Sequence, residues 1–242
     1  MPGAGNRLAA GTWPGHAAPM DDDLDNPIWA ALTGPHARFA ETRGAAVRYH
    51  PDVSPFHAIG GPDGWPDVAT LAGPGGVVAM SGPHLDPPGG WAPVRIMPGV
   101  QLTGAAVRGA PDPEAVPLTT ADAAEILDLV ARTDPGPFRK RTVELGRYLG
   151  IRRDGRLIAM AGERLRCGRW IEISAVCTDP AYRGQGLAGR LTRAVAHGIR
   201  EQGGTPFLAA TAANTGALRL YRALGFTYRR DVTFAILRTP GG

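Results

Sequence analysis

The chain has 242 residues, 43% of them hydrophobic and 20% charged, the balance of a globular protein able to bury a core. No apolar run reaches the roughly 18 residues of a membrane span. The only cysteines, Cys167 and Cys177, are too few for a disulfide scaffold and cannot by themselves complete a four-ligand zinc site. The cytoplasm, with both thiols reduced, is the compartment expected.

Charge is divided unevenly. Residues 1–112 hold six basic and ten acidic side chains, a net of −4; residues 113–242 hold twenty and twelve, a net of +8. The second half is therefore suited to an anionic ligand. Its arginines are spread along the segment, without a helix-turn-helix, zinc-finger or aromatic RNA-binding pattern. Neither nucleic acid nor a membrane is an expected partner.

Residues 1–20 are rich in Gly, Ala and Pro and read as a mobile leader, since they lack the compact apolar stretch of a signal peptide. Residues 21–112 give fragments: a short helix within 25–39 and strands at 45–49, 76–80 and 93–97, bounded by Gly and Pro clusters. Pro111-Asp112-Pro113 reads as a linker, because its prolines oppose both helix and ladder pairing. From there the pattern sharpens. Apolar residues at Ala123, Ile126, Leu127 and Val130 predict a helix over 120–132 with Thr120 as N-cap, and a second helical stretch covers 138–146. Strands at 148–153 and 156–165 flank Asp154-Gly155, a tight-hairpin dipeptide, and a third strand covers 169–178. Leu187, Leu191, Val195 and Ile199 then form one stripe of a helix. A strand at 207–211, a helix at 215–224 ending on Gly225 and one or two strands over 226–237 complete the chain. The order is that of an α/β fold, a mixed twisted sheet flanked by helices, preceded by a smaller α+β domain over 21–112. The boundary is expected at 112/113.

One segment carries chemistry. The strand ending Val176-Cys177-Thr178 leads through Asp179-Pro180-Ala181-Tyr182 into Arg183-Gly184-Gln185-Gly186-Leu187-Ala188 at a helix start. Glycines let the backbone approach a ligand, and the first helical amides lack internal partners at the positive end of the helix dipole. Together they suit a phosphate or pyrophosphate. Gly184, Gly186 and Gly189 formally match a dinucleotide fingerprint. That fingerprint needs its first glycine directly at the strand end and an acid about 20 residues on. Here residues 179–183 intervene and 207–211 hold no acid.

The segment resembles the central motif of the GNAT superfamily of acyl-CoA-dependent N-acetyltransferases, Arg/Gln-x-x-Gly-x-Gly/Ala, with Arg183, Gly186 and Ala188 in its places. Asn214, Ala217, Tyr221, Gly225 and Phe226 resemble the family's second motif at the expected distance. The resemblance covers about 114–238 and implies a GNAT-like fold there. For 21–112 it allows a diverged, non-catalytic copy of that fold. It implies acetyl-CoA as acyl donor, without a metal. Val176, Cys177 and Thr178 would bond the pantetheine arm and thioester with their backbone. Arg183, Gly184, Gln185, Gly186, Leu187 and Ala188 would hold the pyrophosphate, and Asn214 would touch the pantetheine arm or merely cap its helix. Tyr221 would protonate the departing thiolate, against the alternative of a core tyrosine.

Glu172, expected in phase with Ser174, Val176 and Thr178 on its strand, is the candidate base; its alternative is an ion pair with Arg169 or another nearby arginine. Glu163 is a weaker candidate, and His197 reads as a surface or packed side chain. The remaining histidines lack metal-ligand spacing. Two functions follow: transfer of an acetyl group to a primary amine, on a small molecule or a protein N-terminus, by direct attack; or a non-catalytic acyl-CoA-binding or interaction module. A proton donor at Tyr221 favours the enzyme.

Overall fold

The computed structural model describes residues 22–83 and 85–241; the leader expected at 1–20, with His16, and the lone position His84 lie outside them. Eleven strands occur among these residues: β1 (Ala40–Arg43), β2 (Ala46–Tyr49), β3 (His57–Ile59), β4 (Val77–Gly82), β5 (Ala92–Thr103), β6 (Val116–Leu118), β7 (Tyr148–Arg153), β8 (Arg156–Cys167), β9 (Trp170–Thr178), β10 (Thr205–Thr211) and β11 (Thr227–Arg238). The helices are α1 (Asp22–Asp25), α2 (Pro27–Leu32), α3 (Trp65–Ala72), α4 (Ala123–Thr133), α5 (Leu187–Glu201) and α6 (Thr215–Ala223). The first three strands form a small antiparallel sheet, and the other eight form a mixed sheet in the order β4-β11-β5-β10-β9-β8-β7-β6.

The mixed sheet flanked by helices is present, and so is a smaller N-terminal sheet. The two halves are nevertheless interleaved across the boundary expected at 112/113. β5, from the N-terminal half, lies between β10 and β11 and pairs antiparallel with both, Phe207 opposite Thr103 and Val232 opposite Gly99; β4 closes the edge beyond β11. Val100 and Leu102 of β5 sit in the same core as α5. A strand whose two edges are both used cannot be withdrawn without exposing two neighbours. The small sheet is antiparallel and three-stranded. The linker is fixed as well: Asp112 accepts two 2.7 Å bonds from Arg190 of α5.

The two faces of the sheet are read from side-chain alternation. Ile171 and Ile173 of β9 and Leu208 of β10 pack with Leu187, Leu191, Val195 and Ile199 of α5 and Tyr221 of α6, so the predicted apolar stripe is the buried one. On the opposite face Trp170, Phe207, Leu165 and Cys167 pack against Leu24, Ile28 and Leu32, and Cys177 packs against Ile126 and Leu129 of α4. The predicted hairpin is confirmed by positive φ at Asp154 and Gly155.

Two local expectations change. α4 starts after a 3₁₀ turn capped by Thr119, not Thr120: Thr119 Oγ1 accepts from Ala121 N while Asp122 returns to Thr119 N, a reciprocal cap that leaves Thr120 inside the turn. The second helical stretch shrinks to a 3₁₀ turn at Thr142–Leu145. The final segment, expected as one or two strands, is one, and α3, β1, β3 and β6 had no clear sequence signal.

Candidate active site

Residues 183–189 form the loop that the sequence singles out. Gly184 and Gly186 have φ of 81° and 74°, values that cost a residue with a Cβ about 1–2 kcal/mol. A Cβ at either would meet no protein atom within 4 Å, so the space beside the loop is open. Leu187 is buried in the core and anchors the helix start. The amides from Gly184 to Gly189 find no backbone acceptor among the described residues, whereas Arg190 N closes the first turn onto Gly186 O at 3.1 Å. No acid occupies the first turn of α5, so its positive end is uncompensated. The loop is entered over a built corner: Asp179 caps it through Ala181 N at 3.0 Å and pairs with Arg132. Arg183 turns back, its Nε donating to Thr178 O at 3.3 Å. Nearby, Thr178 Oγ1 is buried without a hydrogen-bond partner among the described residues.

Strands β9 and β10 run parallel and pair only at their starts, through Trp170–Thr205, Ile171–Pro206 and Glu172–Phe207. Beyond that point each continues without the other, leaving a gap that runs towards the glycine loop. The cause lies in β9. Between Ser174 and Cys177 the register against β8 slips, with Gly162 opposite Ser174 and Met160 opposite Cys177, and Ala175 takes φ of 53°. This bulge puts an extra residue into β9 and adds local twist. It also corrects the expected phase. Glu172 faces α2, whereas Val176 packs towards α5 and α6, and Ala175 and Cys177 replace it on the α4 side. Glu172, Val176 and Thr178 therefore do not share a face.

On the α5 side of this gap stands Tyr221, in the core and 8% exposed. Its ring meets Phe226 edge-on at 5.8 Å. Its hydroxyl has no hydrogen-bond partner among the described residues. Burial, helped by the nearby Cys177, pushes the phenol up to about 12, so it stays protonated and keeps a proton to donate. Asn214 caps α6, its Oδ1 accepting from Ala217 N at 3.1 Å; the capping role is real and leaves the amide NH₂ for another acceptor.

A family model described as FR47-like protein matches residues 148–235, which take in the bulge, the glycine loop, Asn214 and Tyr221. The chain is 36% identical over 121 residues to the N-alpha-acetyltransferase RimI of Mycobacterium tuberculosis, covering 45% of this chain and 75% of that protein. It is 37% identical to a protein from Novosphingobium aromaticivorans assigned to the GNAT acetyltransferases, whose crystal structure superposes with a TM-score of 0.85 and covers 92% of this chain and 100% of the other. The chain belongs to the GNAT superfamily. A GCN5-related N-acetyltransferase from Kribbella flavida, at 19% identity, shares the fold with a TM-score of 0.60 over 89% of this chain and 96% of that one. Because the Novosphingobium structure covers nearly the whole length, the interleaved N-terminal half is not peculiar to this GNAT chain.

The remaining candidates separate by face. Glu172 is 2% exposed. Both its oxygens accept from Arg164, at 2.8 Å each, so a nearby arginine, Arg164, is its ion-pair partner. Arg164 in turn lies 5.0 Å over the Phe56 ring. Glu163 points to the α5 side, where its Oε1 accepts from Gln202 at 2.9 Å. With His197 it lines a cavity of about 610 Å³ beside β7 and the C-terminal half of α5, away from the glycine loop at the helix's other end. His197 itself stands 3.4 Å from Glu201. No group of three or more His, Cys, Asp or Glu side chains able to hold a metal occurs among the described residues.

Sequence reasoning missed a second set. Asp25, Gln101, Arg164 and Arg230 line a crevice under α1 and α2, whose floor includes Glu172, Phe207 and Ala209. The Arg164–Glu172 pair could have been found by folding β8 and β9 about Gly168. Asp25 and Arg230 are 205 residues apart and left no local signal.

Proposed function

We propose that the chain transfers an acetyl group from acetyl-CoA to a primary amine by direct attack. One observation supports this most: two parallel strands that part at Glu172 and Phe207 open towards a helix start whose amides from Gly184 to Gly189 have no backbone acceptor. Those amides, with Arg183 beside them, fit a pyrophosphate. The edge of Val176 to Thr178 that faces away from β8 and has no pairing with β10, with the partnerless Thr178 Oγ1, fits an amide-bearing arm lying in the gap. Asn214 offers its NH₂ from the start of α6.

In the reaction the amine nitrogen attacks the thioester carbonyl carbon; a C–N bond forms and the C–S bond breaks. Tyr221, held protonated by burial, gives its proton to the leaving sulfur. The amine's own proton must leave, and Glu172 is the proposed acceptor, through water, because its oxygens keep lone pairs beyond the two that Arg164 uses. The buried, unpartnered phenol favours an enzyme over a binding module, since binding alone needs no proton donor in the gap. The name of the RimI relative points to an α-amino group as the acceptor. Calorimetry with acetyl-CoA, followed by free-thiol release with an amine panel, tests the reading; failure to bind acetyl-CoA would refute it.

A further inference from the structure

We infer that the cavity between the linker, β7 and the C-terminal half of α5 is a second ligand site, which takes a small carboxylate with an apolar body on Arg147. The cavity has a volume of about 610 Å³, within the range of small-molecule sites. It lies at the opposite end of α5 from the glycine loop, and the acyl-transfer reading makes no use of it.

The walls are fixed by the fold itself. From α5 come Ala194, His197, Gly198 and Glu201, spaced i, i+3, i+4 and i+7 and therefore on one face. On the linker side, Ala110 N donates to Arg193 O at 3.2 Å, and Asp112 takes its two 2.7 Å bonds from Arg190. On the sheet side, Leu118 and Leu149 stand on the paired strands β6 and β7 and, with Val195, give the cavity an apolar floor. Gly198 helps to keep the space open. Glycine is a poor helix former, yet this one lies inside α5. A Cβ there would meet only Arg147 Nη1 beyond its own helix backbone, at the ordinary contact distance of 3.6 Å. Packing therefore does not demand a glycine at this position, and a long side chain there would project into the cavity.

The charges on the lining select the ligand. Asp112 is neutralised by Arg190. Glu163, 3% exposed, accepts from Gln202 at 2.9 Å and lies 3.7 Å from Arg166. Glu201 stands 3.4 Å from His197. The guanidinium of Arg147 has neither a hydrogen bond nor an ion pair among the described residues, and its approach to Gly198 holds it over the cavity. It is thus the charge of the lining that lacks a counter-charge, and its forked donors match a carboxylate. The body of the ligand would rest on Leu118, Leu149 and Val195, whose burial favours an apolar group.

The test titrates the full chain in a calorimeter with hexanoate, phenylacetate and 4-phenylbutyrate and with the matching amides, with and without saturating acetyl-CoA. At least one acid should bind at a single site with a Kd of about 1 mM or tighter, about tenfold or more tighter than its amide, whether or not acetyl-CoA is present. Arg147→Gln should remove the preference for the acid, and Arg147→Lys should keep part of it. Gly198→Leu fills the cavity and improves the helix; it should weaken acid binding about tenfold or more, while the melting temperature does not fall and acetyl-CoA affinity is unchanged. None of these outcomes depends on turnover. Failure of all three acids to bind would overturn the inference. So would amides that bind as well as the acids, competition between the acid and acetyl-CoA, or undiminished acid affinity in Gly198→Leu.

Discussion

Tyr221→Phe separates chemistry from packing at the residue proposed to protonate the leaving thiolate. The ring is 8% exposed and packed edge-on against Phe226, and phenylalanine keeps that contact. The hydroxyl has no hydrogen-bond partner among the described residues, so its removal forfeits no intramolecular bond. Stability should change by less than about 1 kcal/mol. Turnover should not be spared. General-acid contributions run to about 10²–10⁴-fold, and a CoA thiolate leaves moderately well unaided, so kcat should fall about 10- to 1,000-fold, or about 1.4–4 kcal/mol in the barrier. Burial sets the phenol near 12. The proton is therefore present throughout pH 6–10, and any limb of the wild-type profile in that range belongs to another group. Single-turnover thiol release with saturating acetyl-CoA reads the chemical step directly. A Phe variant with full kcat, in an assay where chemistry limits, would make the phenol a packing residue. Weakened acetyl-CoA affinity at normal kcat would make it a donor-side contact instead.

Glu172→Gln leaves the Arg164 guanidinium buried without its counter-charge and should destabilise the fold by about 3–5 kcal/mol. Adding Arg164→Met should recover most of the melting temperature but not the turnover; recovery of both would make Glu172 an ion-pair partner only. A fragment beginning at Asp112 lacks β5, and with it Val100 and Leu102 of the core. Their loss alone costs about 3–6 kcal/mol of a typical total of about 5–15, so circular dichroism should show an unfolded or aggregated product; a folded monomer would contradict the interleaved sheet. His36 and His57 are buried, which lowers each from the usual 6.5 to about 4. The unfolded chain then takes up protons first. Stability is complete above pH 6.5 and falls as pH drops towards 4, by up to about 3 kcal/mol per histidine. Urea midpoints that are equal at pH 7.5 and pH 5 would refute this.

The sequence was most legible where one local rule governs one element. The α5 stripe, the Asp154-Gly155 hairpin and the glycines with φ of 81° and 74° each follow from periodicity or backbone sterics. Together they located the glycine loop, whereas Tyr221 was singled out by the resemblance to the family's second motif. What escaped depends on pairing between distant segments. β5 reads as a short strand at 93–97, and nothing local says that it inserts between β10 and β11, more than 100 residues later. The bulge escaped for a different reason. Ala175 carries φ of 53° although alanine gives no hint of it, and the single extra residue turns Val176 and Thr178 away from the face of Glu172. The assumption of unbroken alternation along β9 failed there. The crevice under α1 and α2 combines both causes: Asp25, Gln101, Arg164 and Arg230 come from four separate elements and converge only once the sheet is assembled.

The central claim is that the open helix start at Gly184 to Gly189 holds the pyrophosphate of an acyl-CoA. Calorimetry of acetyl-CoA against the wild-type chain and Gly186→Val tests it most directly. A Cβ at Gly186 meets no protein atom within 4 Å, so the folded chain has room for the side chain; the left-handed backbone adds about 1–2 kcal/mol of strain, and circular dichroism checks that the variant remains folded. The account predicts one site per wild-type chain and at least a tenfold loss of affinity in the folded variant. Equal acetyl-CoA affinity in the two proteins would contradict it.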